Sequence, residues 1–166
     1  MKLSDGVEQA IHSVTMLAGL ETDAVLSAAS LAEFHGVSTS YLLKHLQALS
    51  GAGILATVPG PKGGYRLARP PHSISLLDIV LAVEGPRPAF RCNEIRQRGP
   101  NPLPGRYFTA PCGINAAMLR AEKAYRRELA GVTVAGLITD LAEMDDGGIV
   151  SRGCAFLELH QRKPAR

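Results

Sequence analysis

The sequence predicts a mainly α-helical fold with a small β-wing, a winged helix-turn-helix followed by a long helix. Three observations carry this reading. Two short amphipathic segments meet at Gly36-Val37-Ser38, two apolar stretches flank the turn Pro59-Gly60-Pro61-Lys62-Gly63-Gly64, and an alanine- and charge-rich run, INAAMLRAEKAYRREL, begins at Ile114.

A chain of 166 residues, 46% of them hydrophobic, can bury one modest core, so one compact domain with appended elements is expected. The opening stretch MKLSDGVEQAIHSV lacks the uninterrupted apolar run of a secretion signal. Nowhere does the chain supply the roughly 20 consecutive apolar residues of a membrane span, so a cytoplasmic protein with no membrane partner is expected. Three cysteines argue against a disulfide framework and for free thiols, redox chemistry or metal ligation. There is no phosphate-binding glycine loop, nucleophile elbow or paired carboxylates in a suitable context, which leaves little basis for an enzyme.

The elements follow in order. Ser4 stands where it can cap a first helix, on which Val7, Ile11, Val14 and Ala18 recur at helical spacing. At 100° per residue Glu8, His12 and Thr15 share a neighbouring face, with Glu8 and His12 an i,i+4 pair. A turn at Thr22 to Ala24 leads to a short helix over Ser27 to His35, stopped by Gly36; Ser38 then caps a helix over Thr39 to Ser50. Leu42, Leu43, Leu46 and Leu49 of that helix suit the core, leaving Ser40, Tyr41, Lys44 and Gln47 facing outward. A hairpin follows, then a helix from Ser73 or Ser75 through Val83, ended by Gly85 and Pro86.

From Glu84 to Pro111 periodicity fades, and six prolines and five arginines mark a long irregular loop. Regular structure returns at Ile114, with Ala117, Leu119 or Ala121, Ala124 and Leu129 available as an apolar seam. Thr133 caps a further helix, Val134 to Glu143. The stretch Ile149 to Leu159 is compatible with either a strand or a helix.

Charge distribution says more than the net +3. Between Glu33 and Asp78 there is no carboxylate, while Lys44, Lys62, Arg66 and Arg69 lie inside that gap. A helix of this length fits the major groove of double-stranded DNA, with Ser38, Thr39, Ser40 and Tyr41 at the end that reaches base edges and Lys44 one turn on. A small, cationic hairpin tip at Lys62-Gly63-Gly64 suits close approach to the sugar-phosphate backbone. The plainer alternative is that alanine-rich helical domains contain look-alikes of this pattern, with the cations only solvating a surface.

The ordered segments LAEFHGVSTSYLLKHLQALSGAGIL, GPKGGYRLARP and SLLDIVLAVEG resemble the winged-helix transcription regulators of the IscR, NsrR and RirA family, over about residues 1 to 140. The resemblance implies a homodimer reading a DNA operator, not an enzyme. Residues 1–84 would be the winged-helix DNA-binding domain, 85–112 a cluster-binding sensor loop, 113–145 the long dimerisation helix and the one after it, and 146–166 a tail. It marks Ser38, Ser40, Tyr41 and Lys44 as groove contacts and Lys62 and Arg66 as wing contacts.

Many members of that family carry an iron-sulfur cluster held by three cysteines of the loop, whereas this loop offers two, Cys92 and Cys112. A two-iron cluster needs four protein ligands. The sequence resembles a smaller branch in which Glu8 and His12 of one subunit complete a 2Fe-2S cluster held by cysteines of the other, one cluster per subunit and two per dimer. Imidazole in place of thiolate raises a cluster's potential, and a carboxylate is a hard, weakly matched ligand, so such a site suits a redox switch. Other readings stay open. A Glu–His pair on a helix flank is commonly a surface ion pair, and two thiols can be small core hydrophobes. Two sulfurs, one nitrogen and one oxygen also satisfy zinc. A metal-free interaction module with structural cysteines would use none of these donors for ligation. Cys154 lies beyond the resemblance and is read as a bystander or a substitute for Glu8.

Overall fold

In the computed structural model, which describes residues 3–163, the chain runs α1 (Asp5–Ala18), α2 (Ala28–His35), α3 (Thr39–Gly51), β1 (Leu55–Val58), β2 (Gly64–Leu67), α4 (Leu76–Glu84), α5 (Gly113–Gly131), α6 (Val134–Met144) and α7 (Gly148–His160). Short 3-10 turns at Pro71–Ser73, Ile95–Gln97 and Gly105–Phe108 punctuate the connections. This is the mainly helical winged architecture the sequence predicts.

The helix-turn-helix forms as its residues dictate. Ser27 Oγ accepts a hydrogen bond from Ser30 N–H at 3.0 Å and starts α2. Gly36, at φ 65°, adopts the left-handed conformation that ends α2 and turns the chain into α3. Leu31, Leu42, Leu46 and Leu49 are fully buried and share a core with Ala10, Val14 and Leu17 of α1 and Ile79 of α4. The wing is an antiparallel pair in the register Leu55↔Leu67 to Val58↔Gly64. Leu26 adds a bridge to Tyr65 on the far side of β2.

Two caps behave differently from expectation. Ser4 and Ser38 occupy N-cap positions without capping through their side chains. Ser4 Oγ instead donates to Glu84 Oε1 at 2.6 Å, and Ser38 Oγ pairs with Ser40 Oγ at 3.0 Å. A tertiary partner outcompetes the local N–H groups for Ser4, and a neighbouring hydroxyl does so for Ser38. Of the alternatives Ser73 and Ser75, the cap of α4 is Ser75, in a reciprocal capping box with Asp78. Thr133 caps α6 by accepting from Gly136 N–H at 3.1 Å.

The ambiguous stretch 149–159 is helical, as α7. Leu157 of α7 and Val134 of α6 are buried in the same core as the reading helices, so both elements close the back of the winged-helix unit. The long α5 is different. None of its residues is fully buried, and of the expected seam Ala117, Leu119, Ala121 and Ala124 are exposed while Leu129 is half-buried. On its inner side Glu122 binds Arg126 at 2.9 Å, and Arg126 reaches Pro86 O at 3.0 Å, tying the helix to the start of the irregular loop.

Candidate functional site

The reading face is built on α3 and the wing. Ser38, Thr39, Ser40 and Lys44 are exposed, and Tyr41 is 38% exposed, so every residue expected to meet the groove stands on one free end and flank of α3. Lys62 is exposed at the wing turn. Arg66 is half-buried, with Nη1 3.2 Å from Asp23 Oδ1, and Arg69 pairs with Asp78 at 3.2 Å.

The gap in carboxylates is therefore a property of the linear sequence, and the fold closes part of it. Asp23 takes a left-handed backbone (φ 62°) in the α1–α2 turn and delivers its acid to the wing. Of the four cations in the gap, Lys44 and Lys62 have no ion-pair partner among the described residues.

Behind this face, α3 leans on α1 through one close contact. A Cβ at position 6 would fall 2.5 Å from Nε2 and 2.9 Å from Nδ1 of His45, so only glycine lets the imidazole lie against the α1 backbone. Burial lowers the His45 pKa, the neighbouring Lys44 charge lowers it further, and Glu84 opposes them. Its Nε2 is buried without a hydrogen-bond partner.

The second candidate region gathers Cys92 and Cys112 at the two ends of the irregular loop. Cys112 is the N-cap residue of α5 and is 9% exposed; Cys92 is exposed. The Cys92 thiol is near enough to act on that of Cys112, so the fold brings together two thiols that are 20 positions apart. The N–H of Asn115, then that of Ile114, then the Arg96 charge hold the Cys112 thiol below its ordinary pKa, against the opposing effect of burial. A thiolate at a helix N-terminus beside a guanidinium is the reactive and metal-ligating form of cysteine.

Arg96 organises this pair. It binds Glu94 bidentately (2.5 and 2.9 Å), lies 5.2 Å from the centre of the Phe108 ring and reaches Ala110 O at 3.5 Å. Glu94, at φ 48°, directs its N–H to Cys92 Sγ at 3.4 Å. In the sequence Arg96 is one of five arginines of the irregular loop. The signal that sets it apart, a position between two cysteines with Glu94 two residues before it, is weak without the fold.

Glu8 and His12 are both exposed on one face of α1, where they line a shallow groove with Leu3, Val7 and Ile11. The His12 ring also packs 5.6 Å from that of His35, whose pKa is lowered by burial, then by His12 and Arg152. Cys154, on α7, lines an apolar cavity of about 240 Å³ with His12, His35 and Met16. Among the described residues of one protomer, no group of three or more His, Cys, Asp or Glu side chains converges as a metal site.

A helix-turn-helix with a wing, an exposed cationic reading helix and a separate thiol pair define a winged-helix DNA-binding regulator. The Rrf2 model, described as an iron-dependent transcriptional regulator, matches residues 3–140, and the chain belongs to that family. This confirms the IscR-type resemblance. YffB of Lactococcus lactis, named as an HTH-type transcriptional regulator, is 34% identical over 135 residues, covering 81% of this chain and 85% of its own. CymR, the global cysteine regulator of B. subtilis, superimposes with a TM-score of 0.65 at 22% identity, over 84% of this chain and 97% of that one. IscR of T. potens does so at 0.65 and 24% identity, over 90% and 96%. At those identities the two structures establish the fold. Family members are transcription regulators that bind DNA, commonly as dimers, and are not enzymes. No helix among the described residues is long and apolar enough to cross a membrane.

Proposed function

We propose that this regulator is a homodimeric repressor whose affinity for a DNA operator is set by a 2Fe-2S cluster, held by Cys92 and Cys112 of one subunit and Glu8 and His12 of the other. The observation that carries it is the paired thiols at the start of α5, one of them held toward thiolate by backbone N–H groups and Arg96. The donor set fits. Two thiolates are ordinary cluster ligands, imidazole substitutes for thiolate in Rieske-type sites, and the carboxylate supplies a labile fourth position. The fit requires two chains, because the four donors form two separate pairs, one on α1 and one between the loop and α5. When bound, the cluster would supply a reversible one-electron couple.

The chain's own residues then divide the work. Residues 1–84 read DNA through Ser38, Thr39, Ser40, Tyr41 and Lys44 in the major groove, with Lys62 and Arg66 on the wing; Arg66 must exchange Asp23 for phosphate to do so. Residues 85–112 form the sensor loop, residues 113–145 the dimer element. Because Glu8 and His12 sit on the helix that packs against α3 through Gly6 and His45, a change at α1 bears directly on the angle of the reading helix. A coupling of about 1–3 kcal/mol, usual for allostery, changes operator affinity roughly 5- to 150-fold.

Anaerobic purification followed by visible absorption tests this. The expected result is the banded spectrum of a 2Fe-2S centre that is lost in His12→Ala and Cys92→Ala variants. Colourless protein with stoichiometric zinc would replace the cluster by a structural metal, and colourless protein without metal would leave a winged-helix module with structural thiols.

A further inference from the structure

The chain after α7 returns to the wing. Val25 N–H donates to Arg162 O at 2.9 Å and Arg162 N–H donates to Val25 O at 2.9 Å, while Leu26 exchanges both its backbone bonds with Tyr65 of β2 (3.0 and 2.9 Å). Successive residues of one extended segment thus pair on opposite sides. The chain at Arg162 becomes the outer edge of the small sheet, in the order β1, β2, Leu26/Val25, Arg162.

This edge is firmly held. Gln161 Nε2 donates to Glu21 Oε1 at 3.0 Å, and Glu21 N–H donates to Gln161 Oε1 at 3.2 Å. Phe156 of α7 stacks on His160 with centroids 4.0 Å apart and packs on Phe34 of α2 at 4.9 Å. From that edge the Arg162 side chain runs to the wing turn, where Nη1 donates to Pro61 O at 3.2 Å, next to Lys62.

The charges here are sorted into paired and unpaired. Lys163 Nζ takes Glu21 at 2.8 Å and Arg66 takes Asp23 at 3.2 Å, so both nearby acids are neutralised. Arg162 and Lys62 are exposed and have no ion-pair partner among the described residues. An arginine with one N–H spent on a carbonyl keeps four donors for a phosphate, and its planar fork suits one.

We propose that the segment following α7 is an extension of the wing that places Arg162 beside Lys62 at its tip, and that the two cations together grip the phosphate backbone of duplex DNA flanking the groove read by α3. Arg162 lies beyond residues 3–140, the stretch that the family model matches. It rests on the reading of the wing as a DNA-facing element.

Fluorescence anisotropy with a labelled duplex of arbitrary sequence, about 40 base pairs long, across a salt series separates charge from structure, because each phosphate contact contributes about 0.9 to the log–log salt slope. Arg162→Gln removes the charge and leaves the backbone pairing with Val25 in place. It should shallow the slope by about 0.9, so that the variant loses roughly threefold less affinity than the parent between 50 and 200 mM salt. Arg162→Lys should keep the parental slope, and Lys62→Ala should shallow it as Arg162→Gln does. A weaker Arg162→Gln with an unchanged slope would make Arg162 a brace for the wing only, and an unchanged affinity would remove it from the interface; either overturns the proposal. A parent with salt-dependent binding whose slope responds to Lys44→Ala but not to Lys62→Ala would instead fail the wing reading on which the proposal rests.

Discussion

Gly6 and His45 show how much one missing side chain decides. The imidazole of a residue on the reading helix lies where a Cβ on α1 would be, so Gly6→Ala must push α3 away from α1 or force His45 out of its site. Overpacking of this kind costs about 1–3 kcal/mol. Urea denaturation should show that loss in Gly6→Ala, with part of it restored in the Gly6→Ala/His45→Ala double variant, because the second change removes the atoms that collide; strictly additive losses would mean that the two residues do not meet. Nothing in the local sequence SDGVEQ announces this contact, since a glycine near a helix start is ordinary there. Arg96 and Asp23 belong to the same class. Each is unremarkable in the chain, and each acquires its role from a partner that the fold delivers, the thiol pair for Arg96 and Arg66 for Asp23.

At the scale of elements, α7 is the instructive case. Its sequence, GIVSRGCAFLELH, leaves helix and strand undecided because the apolar residues run together without a clean period. The fold settles it by offering a slot: Leu157 is 6% exposed and joins the core formed by α1, α3 and α4. Truncating such a leucine costs about 2–5 kcal/mol, so Leu157→Ala should lower the thermal midpoint by about 5–15 °C in a chain of this size. An unchanged midpoint would mean that α7 is a detachable tail. The helix-turn-helix, by contrast, was legible from the chain. Gly36 and Leu42, Leu46 and Leu49 of α3 do in the structure what local rules require of them, whereas Leu43, expected in the core with them, is only half-buried. Ser4 and Ser38 mark the limit of that logic, since a serine hydroxyl bonds whichever partner is nearer.

For the whole molecule, the outward face of α5 carries the largest unsettled account. Ile114 is 68% exposed, Met118 43% and Leu119 40%, on a helix of 19 residues with no buried side chain. Exposed apolar residues at helical spacing on a long helix mark an association face, and a second copy of the same helix satisfies it symmetrically. Light scattering on the full chain should therefore report a dimer, and Ile114→Glu combined with Met118→Glu should give a monomer with its far-UV spectrum retained. A parent that is already monomeric would remove α5 as the dimer element, and with it the means of bringing α1 of one chain to the thiols of another.

What the amino-acid order settled by itself was the kind of molecule. Short-range rules of periodicity, capping and turn formation are enough to write two helices, a glycine stop and a hairpin in the order of a winged DNA reader, and the pairing of Glu8 with His12 on one face follows from helical spacing alone. The tertiary structure decided everything that depends on residues far apart in the chain: that Cys92 and Cys112 adjoin, that Arg96 and the α5 N-terminus bias one of them toward thiolate, that Asp23 closes the apparent gap in acids, and that Arg162 comes to the wing. The physical reason is range. Local signals act over one or two turns of backbone, whereas the charge and hydrogen bonding at a site are set by whatever the folded core brings within a few ångströms.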